Sequence, residues 1–329
     1  MITNTKWLLP LLLTLPAVAS GEALMTDAVF APTSFWYTPI PASAPLHSNS
    51  ANYVKEFLRQ KAAYYNTVNV NTRDYTSTVF IAQSGAATVK VTPWDCQKKG
   101  FTDSGLAQQF AAVPVPSNAV PSKGSDAEMT VYQPSTRTLW EFWQARKVDG
   151  RWQACWGGRI VNTAANGGVF SGTYGVAATS LSFMGGQITA EELKRGEIKH
   201  AIGISLVDLE KSSIFSWPAN RSDGWNPYNA INRIPEGTRF RLNPAVNVDA
   251  LPMTRAGKII AKAAQKYGFV VWDRAGALSI RARNSYSYMA AGQPDPYPAL
   301  FDGKPGYSVL NGFPWDKLQF LPKHYGRPY

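Results

Sequence analysis

Apolar and polar residues recur with two different periods along this chain, and the changes of period predict its elements. Residues 50–64 place Tyr53, Phe57 and Ala62 on one side, the spacing of a short amphipathic helix. From about Thr76 the period falls to two. Residues 78–82 and 87–92 read as strands joined across Ser84-Gly85, a hairpin signal. Residues 128–133 and 138–146 read as a second hairpin, and Asp149-Gly150 turns the chain into a strand over 151–160. Further strands are expected at 199–208, 214–218, 238–242, 268–273 and 277–282. Two helices interrupt them. Thr189-Ala-Glu-Glu192 is a capping box closed by Gly196, and 255–267 carries an Ile259, Ile260, Ala263, Tyr267 stripe ended by Gly268. Many short strands with tight turns predict an all-β protein with minor helices, a β-sandwich or jelly-roll-like fold.

The first residues break this pattern. Lys6, an apolar run over 7–18 and small residues at Ala17 and Ala19 read as a secretory signal peptide over 1–19. The run is too short to span a bilayer, and no later segment is apolar enough for a membrane helix. A secreted or periplasmic protein without stable membrane insertion is expected. Residues 20–49 form a Pro-rich lead-in containing Phe35-Trp36-Tyr37-Thr-Pro39-Ile40-Pro41, too rich in proline for a helix and expected to lie extended against the body. Residues 50–329 then form one domain, with irregular chain wrapping it from about 284.

Composition narrows the function class. The 329 residues are 45% apolar and 12% aromatic, which excludes intrinsic disorder. The net charge is +11, yet the longest basic runs are pairs such as Lys98-Lys99, so nucleic acid is not expected as a partner. The charge reads either as a diffusely positive surface or as attraction to an acidic polymer. Cys96 and Cys155, an even count in an exported chain, suggest one disulfide; two buried thiols or a metal pair are the alternatives. Two Cys and the scattered His47, His200 and His324 make no metal signature, and no cofactor is expected. Nucleophile-elbow, zinc-protease, phosphate-loop and dinucleotide motifs are absent.

A series of motifs runs in order through roughly half the chain. It comprises Leu139-Trp140-Glu141-Phe142-Trp143, Trp156-Gly157-Gly158, Ala178-Thr179-Ser180-Leu181, Gly196-Glu-Ile-Lys-His200-Ala201, Pro235-Glu236-Gly237 and Val270-Val271-Trp-Asp273. In these motifs the chain resembles a family of secreted bacterial proteins, mostly without assigned activity. The resemblance implies a secreted, sandwich-like β body and no particular substrate. Members often carry Asp-x-His before the first Trp-Glu strand; here that place reads Asp126-Ala-Glu128.

Candidate chemistry centres on Glu141. A Glu between aromatics in mid-strand is partly desolvated, which raises its pKa as a general acid requires. Asp126 or Glu128 across the hairpin would supply the second carboxyl needed for glycoside hydrolysis. The competing reading is a structural ion pair of Glu141 with Arg146 or Arg159. His200 begins a strand and is a candidate acid or base, or else a core histidine. Tyr174, in a Gly-rich loop, joins His200, Arg159 and Asn162 as a possible lyase set, or simply packs. Trp143, Trp156 and Trp217, with Arg221 on a neighbouring loop, would stack and hold sugar rings. The expected function is cleavage of an acidic polysaccharide by β-elimination or hydrolysis. A non-catalytic carbohydrate- or surface-binding protein is the alternative, and an exported protein with a non-sugar target is a third possibility.

Overall fold

The structure, a computed structural model, describes residues 28–328. The signal peptide expected over 1–19 lies outside the described residues. In chain order the strands are β1 (Asn69–Asn71), β2 (Thr78–Ile81), β3 (Thr92–Pro93), β4 (Met129–Gln133), β5 (Thr138–Trp143), β6 (Arg146–Val148), β7 (Arg151–Ala154), β8 (Trp156–Ile160), β9 (Ile202–Leu206), β10 (Arg239–Leu242), β11 (Phe269–Arg274), β12 (Ser279–Arg281) and β13 (Leu318–Phe320). The helices are α1 (Ser50–Ala63), α2 (Ser104–Gln109), α3 (Phe183–Gly186), α4 (Ala190–Arg195), α5 (Arg255–Lys266), α6 (Ser285–Met289) and α7 (Tyr297–Leu300).

The strands form three sheets, in the orders β1-β12-β9-β11-β10-β13, β2-β4-β5-β8 and β3-β7-β6. The β-rich expectation holds at that level. Not all pairing is antiparallel: β1–β12, β9–β11, β2–β4 and β3–β7 run parallel. The centre of the six-stranded sheet is apolar on both faces, as a doubly covered sheet must be. Phe269 and Val271 join the core made with α1 and α5, while Val270 and Trp272 join a second core on the other side. Gly203 on β9 lies against Trp272, and a Cβ there would sit 2.1 Å from the indole.

That second core also takes Tyr132, Leu139 and Ile160 from the four-stranded sheet. Phe30, Phe35 and Trp36 of the lead-in fill it, and Trp36 is fully buried. The lead-in therefore contributes side chains to the core of the body it lies against. The opposite face of the four-stranded sheet, with Met129, Val131, Trp140 and Phe142, packs on Leu106 and Phe110 and on β7 residues. No helix among the described residues is long and apolar enough to cross a membrane.

Local signals produced the expected elements where the partner is near in sequence. The helices at 50–63, 190–195 and 255–266 form, and Thr189 and Glu192 close their capping box. The β4–β5 hairpin pairs Thr130 with Glu141. Four expectations need correction. Residues 78–82 and 87–92 make no hairpin: β2 pairs with β4, and Ala87 to Lys90 are exposed. The strand expected over 151–160 breaks at Cys155 into β7 and β8, which belong to different sheets. Gly157 lets β8 close on β5 just after the break, because a Cβ there would meet the Glu141 carbonyl at 2.0 Å. Residues 214–218 fold as turns, with Ile214 N on Lys211 O and Ala219 N on Ser216 O. The tail after 284 is not wholly irregular: it carries α6 and α7, and β13 closes the edge of the six-stranded sheet.

Candidate functional site

Asp126 and Glu128 stand where the chain enters β4. Ala127 between them has φ +39°, an uncommon conformation for a side-chain-bearing residue. The kink is pinned across the hairpin by Gln144 N on Asp126 O and Ala145 N on Ala127 O. Trp143, at the end of β5, donates its indole N–H to Asp126 Oδ1 at 3.0 Å. Trp156 opens β8 directly opposite Trp143 in register. These four residues form one wall of a cleft of about 550 Å³. The facing wall carries Ala178, Arg221, Asp223, Asp273 and Arg274. Gln97 and Lys99 reach the cleft beside Cys96, whose disulfide to Cys155 fastens that loop next to Trp156.

Arg281, on β12, ties the two walls. Its Nη1 donates to Glu128 Oε1 at 2.6 Å and its Nη2 to Asp273 Oδ2 at 3.2 Å. Burial nevertheless lifts the Glu128 carboxyl above its ordinary value, with the guanidinium opposing, and Glu128 Oε2 has no hydrogen-bond partner. Asp273 reaches the cleft through a register shift between Val271 and Asp273, the kind of bulge that re-aims a side chain. Burial, relieved in part by Arg281, pushes its carboxyl up to about 7. Behind it lies Glu236, fully buried, with Oε2 accepting from the Asp223 amide at 3.0 Å. Burial and the neighbouring Asp223 charge push Glu236 up to about 8.

Two further clefts adjoin this one. The first, about 470 Å³, shares Asp126 and adds Tyr65, Tyr75, Asn69 and Asn71. The second, about 370 Å³, shares Arg274 with the main cleft and Ala275 and Gly276 with the first, and adds Trp225. Tyr65, Tyr75 and Trp225 are all exposed. The surface is thus a branched groove with an aromatic side chain in every arm.

Of the expected site residues, Asp126, Glu128, Trp143, Trp156 and Arg221 come together here. The others do not. Glu141 faces a closed core: Ser182 Oγ donates to its Oε1 at 2.6 Å and the Met184 amide at 3.3 Å. It is fully buried and pairs with neither Arg146 nor Arg159, because α3 covers it and Arg146 lies on the exposed β6. His200 lines a separate cavity of about 300 Å³ with Tyr37, Gln187, Glu192 and Arg195. There Nε2 lies 3.3 Å from Glu192 and Nδ1 2.8 Å from Ala201 O. Tyr174 stands behind the cleft, stacked on Trp156 at 5.6 Å, with its hydroxyl donating to Asp103 at 3.0 Å. Arg159 and Asn162 lie at and just beyond the end of β8, outside the lining of the cleft. Trp217 packs edge-on against Phe35 in the second core.

Sequence reasoning missed Asp273, Glu236 and Arg281. Asp273 and Glu236 lie within the quoted motifs, but their role needs a bulge and a turn that no local pattern announces. Arg281 carries no signal, since an Arg in a short apolar strand reads as an exposed one. No family model, no curated protein and no solved structure matches this chain.

Proposed function

We propose that this chain is an exported protein that binds an acidic polysaccharide along the branched groove and cleaves it at Asp126 and Glu128. The observation that carries the reading is this carboxyl pair beside Trp143 and Trp156, facing Arg221 and Arg274 across one cleft. Indole faces stack on the apolar faces of sugar rings, and guanidinium groups neutralise a uronate carboxylate. A groove with aromatic arms suits a chain of sugars better than a single one. The disulfide fits an oxidising compartment outside the cytosol. We read the two larger sheets, which contribute to one core, as the layers of a sandwich-like body.

In the elimination variant, Asp126 removes the proton α to the uronate carboxylate. The electron pair forms the new C=C bond as the C–O bond to the leaving sugar breaks, and Glu128, whose carboxyl burial shifts upward against the opposing Arg281, serves as the acid that gives a proton to the departing oxygen. In the hydrolytic variant Glu128 is the same acid and Asp126 assists the attack of water or bonds to the sugar. This assigns to Glu128 the acid role first expected of Glu141.

Incubation with a panel of acidic and neutral glycans tests the reading. Elimination gives an unsaturated uronate with new ultraviolet absorbance, and hydrolysis gives reducing ends without it. Asp126→Asn and Glu128→Gln each lower turnover about 10²–10⁴-fold, the usual range for a lost acid or base. Binding without cleavage in the wild type moves the protein to the carbohydrate-binding alternative. Full turnover in both variants removes the assigned pair.

A further inference from the structure

Three carboxyl groups from separate segments converge at one end of the cleft: Asp223 from a loop, Glu236 from the turn before β10 and Asp273 from the bulge in β11. One oxygen from each lies within 4.8 Å of the others. Three oxygens evenly spread around Ca²⁺ at about 2.3–2.6 Å stand roughly 4–4.5 Å apart, so these three are close to coordinating separation and small side-chain shifts bring one ion into contact with all of them. A cluster of acids alone would say little. Glu236, however, is fully buried, and its Oε1 has no partner in hydrogen-bond geometry: Oε2 is held by the Asp223 amide, and the Ser222 hydroxyl, near enough to act on the carboxyl, accepts from the Gly224 amide. A buried carboxyl oxygen left without a donor costs free energy unless a ligand completes it.

The neighbouring cations do not complete it. Arg221 is close enough to act on all three carboxyls, but it directs Nε to Ser180 Oγ and Nη2 to the carbonyls of Gly175 and Ala177. Arg281 is shared between Asp273 and Glu128. Arg274 stands 3.9 Å from Asp223, at the exposed side.

The geometry points to a divalent-cation site formed by Asp223, Glu236 and Asp273, with Ca²⁺ as its ion. Three carboxylate oxygens are hard donors, which disfavours zinc and copper. Ligands from three separate segments suit the loose shell of Ca²⁺ better than the strict octahedron of Mg²⁺. Asp223 and Asp273 line the open cleft, so an ion enters from solvent and keeps coordination positions free on that side.

The site is independent of the glycan reading, and its test contains no glycan. Full-length protein freed of metal with a chelator is titrated with CaCl₂ by calorimetry, and its melting temperature is recorded with and without the ion. The expected result is one bound Ca²⁺ per chain and a rise in melting temperature. Glu236→Gln abolishes both effects, and Asp223→Asn, at an exposed position that does not endanger folding, weakens binding at least tenfold. Absence of heat and of any melting shift at millimolar Ca²⁺ overturns the proposal. So does binding that is unchanged in Asp223→Asn.

Discussion

Glu141 shows what one residue's position costs. Its side chain is fully buried, Oε1 is satisfied by Ser182 and Met184, Oε2 has no partner, and burial pushes its carboxyl from the ordinary 4.5 up to about 7. Between those two values the unfolded chain releases a proton that the folded chain keeps. The stabilisation is therefore complete below the unfolded value and is lost as pH rises through the folded one. A shift of this size corresponds to roughly 3 kcal/mol. Glu141→Gln cannot ionise and should escape that loss. Melting temperature followed from about pH 4.5 to pH 8 should fall for the wild type relative to the variant; parallel curves would refute the assignment. The alternation along β5 was legible in the sequence, with Trp140 and Phe142 on one face and Glu141 and Trp143 on the other. What closes over Glu141 was not, because Ser182 and Met184 lie more than forty residues away. The same face opens at Trp143 and closes at Glu141, a distinction that the period of two does not encode.

The helix α4 was legible for the opposite reason: its signals are local. Thr189, Glu192 and Gly196 act within one another's reach, and all three adopt the expected capping roles. His200 adds a tertiary clamp to that cap. Burial disfavours its charged form, but the Glu192 carboxylate more than compensates and holds the imidazole above its ordinary value. Burial likewise opposes ionisation of Glu192, and His200 with Thr189 outweighs it, holding that carboxyl below its ordinary value. The histidine contribution is fully present below pH about 6.5 and is lost as pH rises through the raised folded value. The carboxylate contribution is present above the ordinary glutamate value and is lost as pH falls through the lowered one. His200→Gln should cost roughly 3 kcal/mol at slightly acid pH, the scale of a broken buried pair, and less in alkali. Denaturant midpoints at several pH values measure this, and a cost independent of pH would exclude the clamp. Turnover per folded molecule should be unchanged, since His200 opens into a different cavity from the cleft. Elements fixed by distant partners read less well. The split of 151–160 into β7 and β8 depends on which sheet each half joins, and nothing within those ten residues specifies that choice.

At the scale of the whole molecule, the groove was visible only as parts. Asp126, Trp143, Trp156 and Arg221 were each legible as candidates, but Asp273 reaches the same cleft from more than fifty residues beyond the nearest of them, through a bulge in β11. The charge shows why assembly matters. The chain carries a net +11, a bias toward anions. The cleft itself sets Asp126, Glu128, Asp223 and Asp273 against Lys99, Arg221 and Arg274, with Arg281 already spent between Glu128 and Asp273, so its walls are not basic. The glycan reading then separates two stages. Long-range attraction brings an acidic polymer to the surface, while seating it beside the carboxyls requires Arg221, Arg274 and the ion assigned to Asp223, Glu236 and Asp273. Steering is screened over a Debye length of about 10 Å at 0.1 M salt, whereas close contacts in a cleft are screened much less. Stopped-flow tryptophan fluorescence, reporting on Trp143 and Trp156, can resolve the stages. Added NaCl should slow association of an acidic glycan and leave its dissociation nearly unchanged. Ca²⁺ should slow dissociation of the acidic glycan, because it supplies the counter-charge that the cleft lacks. A neutral glycan of equal length should show neither response. Association that ignores salt would mean that the positive charge is only a diffuse property of the surface, and equal Ca²⁺ dependence for neutral glycans would separate the ion from recognition of the carboxylate.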